Sequence, residues 1–428
     1  MFPLPSLQRR ILCLLSAVFC LLTTAAQDLC DFNRTLRIDY LFAGNTSTQH
    51  IAVDALSSLD GWAGRRTHMD SLPLQGNGRI TMRQADSNRV IYRTSFSSLF
   101  QEWLTTEEAT RTCRSFENVF QLPMPTVPVE ITIELDDTRR RTMAALTHRV
   151  APSDMLIRRH TAPATPHRYL HRGGTPETCI DVAIVAEGYT EAEMPAFYTK
   201  ARETVEAIFA HAPFDTLQAR FNFVAVALPS AESDVSVPRQ NLWRNTALGA
   251  HFDTFYSERY LTTPHLKTLH NSLAGIPYEH IIILANTETY GGGGIYNSYT
   301  LTTTDHKDFR PVVVHEFGHS FAGLADEYYY DDMYEPYYHA DIEPWEQNIS
   351  TLHNFSSKWL DMLPAGTPRP TPPNAATPER IGIYEGAGYQ SRGVFRGFQD
   401  CRMKTNSCRS FCPVCQRAIA RLVSFYTE

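Results

Sequence analysis

Two histidines and a glutamate stand together at His315-Glu316-Phe317-Gly318-His319. In an α-helix, four residues is slightly more than one turn, so the imidazoles of His315 and His319 share a face about 6 Å apart along the axis. From there both ring nitrogens can reach one Zn²⁺ at roughly 2.0–2.1 Å. Glu316 sits beside them, placed to meet a water rather than the ion. The chemistry of such a set is metal-assisted hydrolysis, in which water is acidified by a cation and loses its proton to the carboxylate.

A catalytic zinc keeps three protein ligands and one open position. In the peptidase pattern H-E-x-x-H-x-x-G-x-x-(H or D), a glycine turns the chain and returns the third ligand. Here Ala322 occupies the glycine position and Gly323 follows one residue late. Three residues beyond Gly323 is Asp326, the favoured third ligand; Glu327 is its direct competitor. Either acid could instead lie on a solvated turn or support a ligand histidine from behind.

The element that must carry these groups is a helix. Val313, Phe317 and Phe321 recur every four residues and Leu324 extends the apolar stripe away from the histidines. Pro311 is tolerated in a first turn, and Gly323 is a helix terminator able to take the left-handed conformation. The alternative, a core helix that merely contains two histidines, has to treat the glycine and the acids after it as coincidence.

Around that helix the chain divides into unlike parts. Residues 1–26 read as a secretory signal peptide: Arg9 and Arg10, an apolar run from Ile11 to Leu22, then small residues before Gln27. The expected product is exported to the periplasm, cell surface or medium. The apolar run is too short for a membrane span, and no later stretch reaches the required length. A net charge of −7 without a basic run argues against nucleic acid as a partner.

Residues 27–150 alternate in the manner of strands, at 35–42 and 129–135 for example, and predict an all-β, sandwich-like N-terminal domain. Trp62 and Trp103 read there as core residues before partner-binding ones. Residues 151–176 contain Pro152, Pro163, Pro166, Gly173, Gly174 and Pro176 and read as a linker. From 177 to 428 the pattern changes to α/β. Buried-type strands at 179–186, 221–228 and 278–285 alternate with helices at 190–211 and 252–261, the first opened by a capping box of Thr190 and Glu193. Gly291–Gly294 is either a bend or a bare strand edge beside the metal, on which an extended peptide could pair.

Beyond residue 26 there are seven cysteines: Cys30, Cys113, Cys179, Cys401, Cys408, Cys412 and Cys415. The last four include C-x-x-C and allow a structural zinc site, but in an exported protein two disulfides are the expectation.

The motif H-E-F-G-H-S-F-A-G-L-A-D-E-Y at 315–328, with F-C-P-V-C at 411–415, resembles the secreted bacterial IgA-protease-type zinc metallopeptidases. The region 95–103 and the β unit around it resemble that family's N-terminal domain. The resemblance implies a metzincin-like catalytic domain with a mixed sheet, one catalytic Zn²⁺, and a methionine turn under the metal, carried here by Cys401-Arg402-Met403. It also implies a protein or peptide substrate, host proteins and glycoproteins among the candidates, without fixing the bond cut. The expected activity is a zinc metalloendopeptidase with Glu316 as general base, and with Tyr328 or Tyr389 as a candidate to assist at the oxyanion. Two other classes compete: a secreted binding protein or adhesin with an inactive peptidase-like domain, and a zinc amidase acting on a non-protein substrate. The intact Glu316 argues against the first, because a purely structural zinc site has no use for it.

Overall fold

A computed structural model describes residues 27–161, 164–330 and 337–428. The expected signal peptide, 1–26, lies outside the described residues.

The first half of the chain is built from β1 (Cys30–Gly44), β2 (Gln49–Asp60), β3 (Gly78–Gln84), β4 (Val90–Phe96), β5 (Arg114–Pro125), β6 (Val129–Asp136), β7 (Thr142–Val150) and β8 (Arg158–Arg159). They form two four-stranded sheets, ordered β5-β1-β2-β8 and β4-β3-β6-β7. Leu36, Ile38, Tyr40 and Phe42 alternate along β1 and meet Ile80, Met82, Ile131 and Ile133 of the other sheet in one core. Each such side chain removed from water contributes about 1.5–3 kcal/mol, so the period-2 pattern decides which face of each strand turns inward. Trp103 lies in that core and Trp62 is nearly as deeply buried.

The opposite face of β1 is buried as well. Arg37 pairs with Asp39 at 2.7 Å and reaches Asn271 of the second half at 2.7 Å. The two halves therefore share a wall, and Val119 of β5 joins a cluster otherwise made of second-half residues such as Val185 and Leu269.

The second half is organised on β9 (His167–Arg172), β10 (Ile180–Glu187), β11 (Phe221–Val226), β12 (His280–Ala285), β13 (Gly292–Ile295) and β14 (Tyr299–Thr303). Their order is β13-β14-β12-β10-β11-β9, with the four central strands parallel and an antiparallel strand at each edge. The helices Met194–Phe209 and Phe309–Ser320 and the C-terminal helix Pro413–Thr427 share one core with this sheet. The helix Leu266–Ser272 lies in a different cluster, beside the first half. Sandwiched between covered faces, β10 is buried at all eight positions, the burial expected of a strand read as a continuous apolar run.

Three segments differ from their sequence reading; the first, Arg158–Arg159 inside the expected linker, pairs as β8 with β2. Residues 167–172, inside the expected linker, form an edge strand paired to β11. Its His/Arg-rich sequence disguises it, because edge strands tolerate charges that a central strand would not. Residues 252–261 form no α-helix: Asp253, Phe255 and Tyr256 take positive φ values of 59°, 54° and 64°, a conformation incompatible with a right-handed helix. The helix comes later, at Leu266–Ser272. Beyond Tyr328, short strands β15 (Tyr329–Tyr330), β16 (Ile349–Ser350), β17 (Tyr384–Ala387) and β18 (Tyr389–Arg396) form a small fourth sheet.

Candidate metal centre

The helix Phe309–Ser320 presents His315 and His319 on one face, and the chain after it doubles back. Gly323, at φ +57°, stops the helix; its N–H reaches the His319 carbonyl at 3.0 Å and the Leu324 N–H reaches the Gly318 carbonyl at 3.1 Å. This left-handed closure brings Asp326 over the histidines. His315 Nε2 lies 3.0 Å and His319 Nε2 3.2 Å from Asp326 Oδ1, and the two Nε2 atoms are 3.0 Å apart. Bonds of 2.0–2.1 Å at tetrahedral angles would hold donors about 3.3 Å apart, so the three atoms nearly match that spacing.

The other ring nitrogens settle the tautomers. His315 Nδ1 faces the Arg402 carbonyl at 2.9 Å and His319 Nδ1 faces the Leu324 carbonyl at 2.6 Å. A carbonyl only accepts, so both Nδ1 atoms carry protons and both Nε2 atoms, when the rings are neutral, present lone pairs. Two nitrogen lone pairs and a carboxylate oxygen thus converge on one point. Burial opposes charging His319, yet Asp326 and Glu316 outweigh it and lift the imidazole to about 9. The carboxyl of Asp326 is held well below its usual range, burial being outweighed by the two histidines. One shared proton relieves one of these contacts; a divalent cation relieves all three. The donor set, two imidazoles and a carboxylate, fits zinc.

Glu316 projects beside this point, and its carboxylate has no hydrogen-bond partner among the described residues. Burial pushes its pKa up, with the two histidines pulling it down. Tyr389 donates its hydroxyl proton to Asp326 Oδ2, a contact that orients the carboxylate, and Tyr328 stacks near His315 with ring centroids 6.4 Å apart. Met403 is fully buried beneath the helix: a Cβ added at Gly318 would lie 2.7 Å from its sulfur. The neighbouring Arg402 supplies the carbonyl that orients His315.

Glu327 points away from the histidines. Its Oε1 lies 3.1 Å from Cys415 Sγ and accepts from Asn348 at 3.0 Å. Geometrically, Asp326 and not Glu327 meets the histidine pair. All seven cysteines in the described residues are free thiols, and Cys408 turns away from the other three towards the Ser410 carbonyl.

The glycine run forms strand β13, and its role is close approach. A Cβ at Gly294 would fall 2.3 Å from the Glu316 carbonyl and 2.8 Å from His319 Cβ. The strand's edge is partly occupied, since the Gly292 N–H donates to the Arg259 carbonyl, and just past the strand the Tyr296 carbonyl accepts from the Ser97 N–H of the first half. Two residues without any motif also reach this region. Tyr260 packs over Gly293 and donates its hydroxyl to Glu102 of the short helix Leu99–Trp103, whose N-cap is Ser98. Burial raises Glu102, and although Tyr260 and His319 lower it, it stands at about 7. No sequence spacing could have found this pair, because it meets across the two halves.

Comparison with known families agrees in extent with this architecture. The IgA peptidase M64 model matches residues 169–377 and 373–423, and the model described as peptidase M64 N-terminus matches 28–147. A search of curated proteins found no match. The first match takes in the six-stranded sheet from the third residue of β9 onward, the histidine helix and the cysteine segment, more than half of the sequence, and on that ground the chain belongs to the IgA peptidase M64 family, a family of peptidases.

Proposed function

We propose that the chain is an exported zinc metalloendopeptidase of metzincin-like type, with His315, His319 and Asp326 holding the ion. The observation that carries this reading is the convergence of three acceptor atoms within 3.0–3.2 Å, with both histidines oriented by carbonyls on their far nitrogens. Uncompensated, such a convergence is costly in a buried site. When bound, zinc supplies Lewis acidity toward water and the scissile carbonyl.

The chain's own residues do the rest. Glu316, free of competing hydrogen bonds among the described residues and raised in pKa by burial, takes the proton of the attacking water and returns it to the leaving amine. Tyr389 holds Asp326 in place through Oδ2, and the Arg402 and Leu324 carbonyls keep both imidazoles in the ligating tautomer. Gly292 and Gly294 let β13 lie against the helix, so that substrate backbone can approach Glu316 without a side chain between them. Met403 is the floor on which the helix rests.

The test is hydrolysis of an unfolded protein by zinc-loaded 27–428, alongside a glycopeptide of the kind a cell-wall amidase would cut. Cleavage of the protein, lost in His315→Ala together with one equivalent of metal, is the expected result. A chain that takes up no zinc at the histidines after reloading is a binding protein instead. Cleavage confined to the glycopeptide would replace the peptidase with an amidase.

A further inference from the structure

Behind the histidine site lies a second set of ligating groups that the proposed chemistry does not use. Cys401, Cys412 and Cys415 and the Glu327 carboxylate bring their ligand atoms within 4.8 Å of one another, and all four residues are buried. Cys401 Sγ and Cys415 Sγ are 3.7 Å apart, Cys415 Sγ is 3.1 Å from Glu327 Oε1, and Cys412 Sγ is 4.0 Å from the same oxygen. Tetrahedral zinc bonded to sulfur at about 2.3 Å would separate two thiolates by about 3.8 Å.

A second observation points to a ligand. Glu327 is 0 % exposed, and its Oε2 is buried with no hydrogen-bond partner among the described residues. A carboxylate in that position is expensive unless a charge compensates it. A disulfide gives no such compensation: three thiols can make one bond, leaving the third thiol and Glu327 as they were. A divalent cation uses all four groups. The local sequence is also arranged for one. Cys412 is the N-cap of the C-terminal helix and Cys415 lies in its first turn, the C-x-x-C spacing that lets two sulfurs face one ion.

We propose that Glu327, Cys401, Cys412 and Cys415 form a closed structural site for a thiophilic divalent cation, zinc by the chemistry of its donors. The three thiols release their protons to solvent as the cation binds. With four protein ligands and no open position, the site holds structure and does not turn over substrate. It ties the return loop after the histidine helix to two neighbouring segments far along the chain, the turn at Cys401–Met403 and the start of the C-terminal helix. The Glu327 N–H donates to the Met403 carbonyl at 2.8 Å, so this clamp acts one residue from Asp326 and two from Met403. Successive carboxylates, Asp326 and Glu327, thus serve different sites on opposite sides of one strand of chain.

The experiment uses the 27–428 chain, its His315→Ala variant and its Cys412→Ser variant, each stripped, reloaded with zinc and analysed for metal by mass spectrometry. The expectation is about one equivalent surviving His315→Ala, and the loss of that equivalent in Cys412→Ser. Cobalt-loaded His315→Ala should show the near-ultraviolet charge-transfer absorption of thiolate-bound cobalt, a readout that stands even where Cys412→Ser does not fold. One equivalent in wild type that survives His315→Ala supports this site and counts against the histidine site, so the two readings fail separately. A His315→Ala protein without metal, or without the thiolate band, overturns the proposal. So does a thiol titration of the denatured, unreduced chain that finds two of the seven cysteines consumed within the 401–415 segment.

Discussion

His315, His319 and Asp326 bring three ligand atoms within 3.2 Å of one another, and Glu316 stands outside that triangle with no hydrogen bond to its carboxylate among the described residues. The division of labour predicts a split between metal content and turnover. Glu316→Gln should keep its zinc and lose about 10²–10⁴-fold in kcat, the range of a lost general base; turnover close to wild type would remove Glu316 from the mechanism. Asp326→Ala should lose the metal held by the histidines, whereas Glu327→Gln should retain it, because Glu327 faces the cysteines. Among the described residues Tyr389 makes no hydrogen bond to Glu316; it orients Asp326 from Oδ2. Tyr389→Phe is therefore expected to weaken zinc affinity about 10–100-fold while leaving kcat at saturating zinc nearly unchanged. A fall in kcat at full zinc occupancy would instead put the Tyr389 hydroxyl on the substrate.

At the scale of elements, the return of the chain after the histidine helix depends on Gly323. Its φ of +57° is costly for any residue with a Cβ, and an added Cβ would also lie 2.6 Å from the Trp345 ring. Gly323→Ala should cost about 1–3 kcal/mol of stability, measured by denaturant unfolding, and should displace Asp326 enough to weaken metal binding; unchanged affinity would show that the loop is held elsewhere. This part of the site was legible in the sequence because it is local: the 3.6-residue period, the stopping glycine and the acid three residues on all lie within one turn-and-return. The buried strands of the second sheet were legible for a similar reason, as apolar runs too continuous for a half-exposed sheet. The edge strand at 167–172 was not, since its cationic side chains carry no apolar signal, nor was the region 252–261, whose left-handed residues are not glycines. Glu102 and Tyr260 lay beyond reach because their meeting depends on how the two halves dock. The partnership of Glu327 with three cysteines was hidden because adjacent acids look interchangeable until the backbone turns them to opposite sides.

The whole molecule joins its halves through a buried polar wall, and that wall makes stability depend on pH. His270 lies in it, 2.6 Å from the Tyr278 hydroxyl, where burial and then the Arg37 guanidinium from the first half push its pKa down to about 3. His280, at the start of β12, is pushed to about 3 by burial alone, between Phe321 and Tyr426. Both imidazoles are neutral in the folded protein, while in the unfolded chain each takes a proton near pH 6.5. Between those values the unfolded state binds more protons, so stability rises with pH. The contribution is complete above about 6.5 and falls by about 1.4 kcal/mol per pH unit for each histidine as the pH drops towards 3. Urea unfolding at pH 7, 6 and 5 should therefore show a steep acid loss. His270→Gln, which can still bond Tyr278, should flatten the slope between pH 6 and 5 by about 1.4 kcal/mol per unit. Comparing wild type with variant at equal metal content cancels the acid sensitivity of the histidine and cysteine sites. Identical slopes would mean that His270 takes up its proton in the folded state as readily as in the unfolded chain.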